Sequence, residues 1–374
     1  MRGWIEPRGS RFKARLRHTD GTNGPSRTFD KKGDARKWLN AALTDAAKGT
    51  FIDERLGDRT VEVYGAEWFR SQVHYESTSR RAVSQQLRNW IIPAFGKRSL
   101  RAVTRPEVRS WVTKMTEDGC APRSIAHRYW VLSRIFEDAV DSGFIATTPC
   151  RSIKTPPVPD DELCIITPTE LEALADAITE RYTGAVLLAG MCGLRSGELF
   201  GLQGRRLDLL RGSVNVVEQL QRDEEGRLAL RAVKSAAGVR TIPVPDSALK
   251  VLRAHVDTHS IGPDDLVFAN SRGKPTSREN FQTSHFGPAK LAAKIVEPFR
   301  VHDLRHTAIS MWIKAGLNPK EVQVLAGHSS IKVTFDVYGH LFPDDDADAR
   351  RRMNEAFSTE DEDDNDDGVV IPMR

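Results

Sequence analysis

Apolar and polar residues alternate strictly through Arg11-Phe12-Lys13-Ala14-Arg15-Leu16-Arg17. A period of two predicts a strand with Phe12, Ala14 and Leu16 on one face and four cations on the other. Asp20-Gly21 is a turn signal, and Ser26-Arg27-Thr28-Phe29 reads as the return strand. The spacing then changes to that of a helix over Lys31 to Lys48, with Ala35, Trp38, Leu39 and Ala42 on one side. Four amphipathic stretches follow, at Val61–Val73, Ser79–Ile91, Thr104–Met115 and Arg123–Val140. Thr104, with Glu107 three residues on, has capping-box spacing.

Prolines 149, 156, 157 and 159 interrupt the pattern, since each fixes φ and removes a backbone donor. This stretch reads as an extended linker. Thr167-Pro168-Thr169-Glu170 opens a new helical region with an N-cap, a proline at the first helical position and a capping glutamate. Helices are predicted around 168–180, 183–192, 246–258, 278–293, 302–315, 319–326 and 329–338, and strands at 207–217, 227–233 and 239–244. Ala347–Phe357 has helical character, with Ala349, Met353 and Phe357 forming a short stripe. The expected organisation is a β-β-α module at 1–56 and a four-helix domain at 58–146. A linker at 147–162, an α+β domain at 163–343 and a C-terminal helix with an acidic tail at 344–374 complete it. The fold class is therefore multidomain, mainly α with small β-sheets.

Composition narrows the function. The 374 residues are 39% hydrophobic and 28% charged, an ordinary balance for a globular chain. No apolar run approaches a membrane span, and the N-terminus has no apolar signal core, so neither a membrane partner nor secretion is expected. Cys120, Cys150, Cys164 and Cys192 are scattered, without paired metal-site spacing, and read as reduced thiols. The net charge of +4 conceals an asymmetry: residues 1–57 and 58–155 each carry +6, 156–343 are neutral, and 344–374 carry −8. A basic N-terminal half points to a polyanion such as nucleic acid. The candidate DNA contacts are Arg11, Lys13, Arg15 and Arg17 on the first strand, with Arg80, Arg81, Arg123 and Arg128 on the helices.

Four segments of the last large domain carry candidate chemistry: Gly193-Leu194-Arg195-Ser196-Gly197-Glu198-Leu199; Lys234 between two strand-like runs; His302-Asp303-Leu304-Arg305-His306; and Leu325-Ala326-Gly327-His328, followed ten residues later by Tyr338. Together they resemble the tyrosine recombinase, or phage integrase, family. The resemblance implies a catalytic set of Arg195, Lys234, His302, Arg305, His328 and the nucleophile Tyr338. It is specific across roughly 165–343 and looser upstream, where the small and the helical modules match the family's arm-binding and core-binding domains. Arg231 and Arg240 compete with Lys234 for its place, which Lys234 takes by standing in the turn between strands. His302 and His306, at i and i+4, could instead bind zinc, but lack a nearby glutamate and third ligand.

The implied chemistry is physically coherent. Cleaving a DNA phosphodiester concentrates negative charge on the non-bridging phosphate oxygens, which two guanidinium forks can clamp without a metal or other cofactor. A phenol, with an ordinary pKa near 10, needs a proton acceptor, for which His302 is the expected helper. Lys234 would protonate the departing 5′ oxygen. The 3′-phosphotyrosyl intermediate conserves the ester, so strands are exchanged without ATP. The resemblance implies double-stranded DNA with core and arm-type attachment sites as partner, a homotetramer on that DNA, and an excisionase and a DNA-bending host factor as accessories, all in the bacterial cytoplasm. A type IB-like topoisomerase and a non-catalytic DNA-binding regulator are the competing readings.

Overall fold

The computed structural model describes residues 1–48, 51, 53, 55–159, 163–223, 225–296, 298–342 and 346–357. The chain divides into two compact units, residues 1–162 with 221–229, and residues 163–220 with 230–374.

The first unit opens with a three-stranded antiparallel sheet of β1 (Arg2–Arg8), β2 (Arg11–Arg17) and β3 (Asn23–Phe29), in the order β1-β2-β3. Helix α1 (Lys32–Ala47) covers one face. The alternation in β2 does its expected work: Ala14 and Leu16 are buried, with Leu16, Leu39 and Ala42 in one small core. The sheet has one strand more than the two expected. β1 escapes periodicity because Gly3, Pro7 and its charged residues mask it, and it is specified by pairing along β2 from Arg2↔Arg17 to Arg8↔Arg11.

Next come α2 (Val61–Ser71), α3 (Ser77–Gln86), α4 (Ile92–Phe95), α5 (Arg105–Glu117) and α6 (Pro122–Asp141). A π-turn at Leu87–Ile91 joins α3 to α4. Trp68, Leu87, Ile91, Val131, Leu132, Ile135 and Phe136 lie in their common core, and the Tyr64 hydroxyl donates to Asp138 at 2.5 Å. The capping box at α5 is formed, with the Thr104 N–H donating to Glu107 at 2.8 Å.

The second unit is built around α8 (Thr183–Cys192). Its Ala-Val-Leu-Leu-Ala run is apolar on all sides, and the helix is buried nearly throughout. It packs against α7 (Pro168–Ala177), α10 (Asp246–His259) and α13 (Asp303–Lys314). Short α9 (Ser196–Phe200) follows α8, and α11 (Arg278–Phe281) and α12 (Gly287–Ala292) flank a second π-turn. Strands β4 (Leu207–Asp208), β5 (Ser213–Val216) and β8 (Arg240–Pro243) form one sheet in the order β4-β5-β8. Strands β6 (Glu218–Arg222) and β7 (Leu228–Ala232) form a separate pair. Three runs were expected here and the described residues form five strands. The single run at 207–217 breaks at the Leu210–Gly212 turn, where Gly212 has φ +63°, and β6 is too polar to show alternation. Lys234 accordingly lies between β7 and β8, which belong to different sheets, so it stands on a connector and not in a hairpin turn.

The chain closes with α14 (Pro319–Ala326), α15 (Ile331–Tyr338) and α16 (Asp346–Phe357). Met353 and Phe357 of the expected stripe are exposed. The acidic residues from 358 onward lie outside the described residues. No helix among the described residues is long and apolar enough to cross a membrane.

Candidate active site

Two glycine-terminated helices build the site. Helix α8 ends at Gly193 and α14 at Gly327, each in the left-handed region with φ +64°. Glycine is required on two counts, because a Cβ would also stand 2.8 Å from the Trp312 ring at Gly193 and 2.9 Å from the Arg240 guanidinium at Gly327. Each reversal turns backbone carbonyls toward the site.

Those carbonyls are taken by three guanidinium groups. Arg240 Nε donates to the Leu325 carbonyl at 2.7 Å, Arg305 Nη2 to Ala326 at 2.5 Å, and Arg195 Nη2 to Gly327 at 3.0 Å. The last carbonyls of a helix have no intrahelical partner and form the negative end of its dipole, so cations from distant segments suit them. Arg305 Nη1 also donates to the Gly193 carbonyl at 2.5 Å, tying the two helix ends together. Glu198, buried on α9, bridges the cluster: Arg240 meets it through Nη2 at 2.9 Å and Nη1 at 3.1 Å, and Arg195 Nη1 at 2.9 Å. Burial raises the Glu198 carboxyl pKa, but hydrogen bonds from Arg240 and the charges of Arg240 and Arg195 outweigh it and hold the group below the usual range. Arg305 is lowered to about 9 by burial and the neighbouring Arg195 cation, and remains charged at neutral pH.

His328 directly follows Gly327. It is buried, and its Nδ1 lies 2.9 Å from the Thr334 hydroxyl of α15. Burial, with the cations of Arg305, Arg195 and Arg240, lowers its pKa to about 4, so the ring is neutral near pH 7. Tyr338 ends α15 with only 2% exposure, its ring stacked near that of His328 at 6.4 Å and 14°. Burial raises the phenol to about 12, opposed by Arg305 and Arg195.

His302 caps α13 and is exposed. Surrounding protein and the neighbouring His306 and Arg305 lower its pKa to about 4, a shift that solvent on its open side opposes. Its ring meets His306 edge-on at 5.0 Å. The imidazole at the Tyr338 hydroxyl is that of His306, with Nδ1 2.6 Å from Oη, whereas the sequence had pointed to His302. Lys234 is exposed. It lines, with Arg195, Glu198, Gln219, Gly327 and His328, a cleft of about 220 Å³. Five separate segments of sequence thus converge, with Arg195, Lys234 and His328 around the cleft and Arg305, His306 and Tyr338 packed within the unit.

Sequence reasoning missed Glu198 and Thr334 as members of the site, and it weighed Arg240 only as a rival of Lys234 and His306 only as a zinc ligand. Glu198 sits inside a motif that drew attention, whereas Thr334 carries no local signal. Among the described residues, no group of three or more His, Cys, Asp or Glu residues that could hold a metal gathers.

The candidate DNA-contacting cations are less uniform than their spacing suggested. Arg11 pairs with Asp30 at 2.9 Å, Arg15 with Glu6 at 2.7 Å, and Arg17 donates to the Gly21 carbonyl. Lys13 and Arg81 are half-buried, and Arg123 is exposed. Arg80 lies over Phe69, and the Arg128 guanidinium lies 3.3 Å from the Trp90 ring centroid.

Residues 165–344 match the model of the phage integrase family. The integrase of Mycobacterium phage D29 is 28% identical over 352 residues, spanning 89% of this chain and 90% of that protein. Among solved structures, the Tn1549 transposon integrase in complex with a circular intermediate DNA superposes with a TM-score of 0.67 at 21% identity, covering 80% of this chain and all of that one. A lambda integrase tetramer bound to a Holliday junction gives 0.59 at 16% identity, covering 87% and 95%.

Proposed function

Since the chain belongs to the phage integrase family of tyrosine recombinases, we propose that Tyr338 is the residue through which it cuts and rejoins DNA. The enzyme is a site-specific recombinase of the integrase type, and on this reading it integrates a phage or related mobile element at attachment sites. The observation that carries the assignment is the convergence of Arg195, Arg305, His328 and Tyr338 on the Gly193 and Gly327 helix ends.

In the proposed reaction, Arg195 and Arg305 clamp the non-bridging oxygens of the scissile phosphate with those N–H groups not held by backbone carbonyls. Neutral His328, its ring oriented through Nδ1 by Thr334, presents Nε2 to the same phosphate. The Tyr338 oxygen attacks phosphorus, the bond to the 5′ oxygen breaks, and Lys234 protonates the leaving oxygen. The 3′-phosphotyrosyl ester then yields to a 5′-hydroxyl of another strand. His302, exposed at the start of α13, completes the set at the DNA-facing side.

The same reading divides the labour along the chain. Residues 1–56 take arm-type sites, 58–146 the core site, 147–162 link them to the catalytic 163–343, and 344–374 serve assembly. Arg11, Lys13, Arg15, Arg17, Arg80, Arg81, Arg123 and Arg128 supply phosphate contacts. The enzyme acts as a homotetramer on double-stranded DNA in the host cytoplasm, with an excisionase and a DNA-bending host factor as accessory partners.

Recombination between two plasmid-borne sites cloned from the DNA flanking the gene tests the function, with relaxation lacking any site preference as the opposing result. Cleavage should survive excess EDTA, because the two arginines supply the charge; a strict requirement for a divalent ion in the cleavage step would overturn the arginine clamp. Deleting residues 1–56 should abolish integrative recombination yet leave core-site cleavage measurable. Identical footprints on accessory DNA from full-length and shortened protein would remove the arm-binding assignment. Binding should weaken steeply with salt, as phosphate contacts release counterions.

A further inference from the structure

We propose that His306 is a catalytic residue: its Nδ1 accepts the proton of the Tyr338 hydroxyl as that oxygen attacks the phosphate. This rests on Tyr338 being the nucleophile, and it adds a group that the six-residue set does not contain.

The geometry is direct. Tyr338 Oη lies 2.6 Å from His306 Nδ1, with ring centroids 5.7 Å apart. The two residues are far apart in sequence, on α13 and α15. His306 is fixed by the helix that also fixes Arg305, its immediate neighbour. One rigid element therefore sets both the clamp on the phosphate and the acceptor for the phenol. His302 is one ring removed, meeting His306 edge-on at 5.0 Å.

The need for an acceptor follows from the surroundings of the phenol. Tyr338 is buried among Ile309, Ile313, Val322 and Ala326, where a phenolate is poorly solvated and the proton is held tightly. Arg195 and Arg305 favour the anion but cannot take a proton. A neutral imidazole protonated on Nε2 can.

The step balances. An Oη lone pair forms the O–P bond while the O–H pair stays on Oη and the proton passes to Nδ1, giving imidazolium. The P–O5′ pair leaves with the 5′ oxygen, which takes its proton from Lys234. On resealing, the 5′-hydroxyl returns its proton to Lys234 and the departing phenolate recovers its own from His306. No redox partner or metal enters.

The test uses the full chain and a nicked suicide substrate that traps the covalent complex, under single-turnover conditions with saturating protein. His306→Ala and His306→Asn should each slow adduct formation by about 10²–10⁴-fold with core-site affinity unchanged. Asparagine keeps a polar atom near the Nδ1 position but is no base, so it separates proton transfer from simple positioning. Added imidazole should restore part of the His306→Ala rate and none of the Tyr338→Phe rate. A wild-type rate in His306→Asn would reduce the contact to positioning and overturn the proposal, as would a wild-type rate in His306→Ala. Loss of DNA binding by both His306 variants would make the residue a folding element and overturn it too. If Tyr338→Phe still forms the adduct, it is the nucleophile assignment that fails. If Tyr338→Phe is inert and the His306 variants are fast, only the present inference fails.

Discussion

Tyr338→Phe should bind the core site with wild-type affinity and form no covalent complex with it. The substitution removes one oxygen and leaves the ring, which is stacked near His328 and packed beside Ile309, Ile313 and Val322. Its cost to folding is confined to the hydrogen bond with His306 Nδ1, about 1 kcal/mol. Its chemical consequence is total, because no other atom at that position can form a phosphoester. The measurement is a denaturing gel of protein mixed with a nicked, end-labelled substrate: wild type should give a slow-migrating band and the variant none. A band of equal intensity from Tyr338→Phe would move the nucleophile elsewhere in the chain.

Arg240→Met should unfold the second unit at markedly lower denaturant, although Arg240 is given no direct part in the chemistry. Its side chain and that of Glu198 are each only 2% exposed, and they meet through two hydrogen bonds. Removing the guanidinium strands a carboxylate in the interior and leaves the Leu325 carbonyl without its donor. Breaking a buried pair from one side costs about 3–5 kcal/mol. The double variant Glu198→Gln/Arg240→Met should recover part of that loss, since the uncompensated charge is gone. Urea titrations of both proteins decide the matter. A single variant as stable as wild type would show that Arg195 alone satisfies Glu198. The effect should extend to catalysis, because Glu198 also grips Arg195, which in turn holds the Gly327 carbonyl next to His328.

The sequence by itself determined much of this protein, wherever the physics is local. Alternation placed Ala14 and Leu16 beneath a strand. Capping boxes opened helices at Thr104 and Thr167, where Glu107 and Glu170 do bond back to the cap backbone at 2.8 and 2.7 Å. The motif residues Arg195, Arg305, His328 and Tyr338 were legible because short segments carry them at characteristic spacing, and the structure gathers them at two helix ends. Local patterns are readable because i, i+3 and i, i+4 neighbours are fixed by helix geometry whatever the rest of the chain does.

Only the tertiary structure decided what depends on contacts across long stretches of chain. Arg240 was weighed as a rival to Lys234, yet it is buried on Glu198, 42 residues away, and on Leu325, 85 away. β1 exists by pairing with β2, and β6 by pairing with β7, since neither carries an apolar face strong enough to announce itself. The imidazole at the Tyr338 hydroxyl is that of His306 and not His302, because the packing of α15 against α13 selects which of two histidines one turn apart meets the phenol, 32 residues along the chain. Such choices turn on the relative placement of helices to within an ångström, and residue spacing along a chain does not encode that placement; close packing of the interior imposes it.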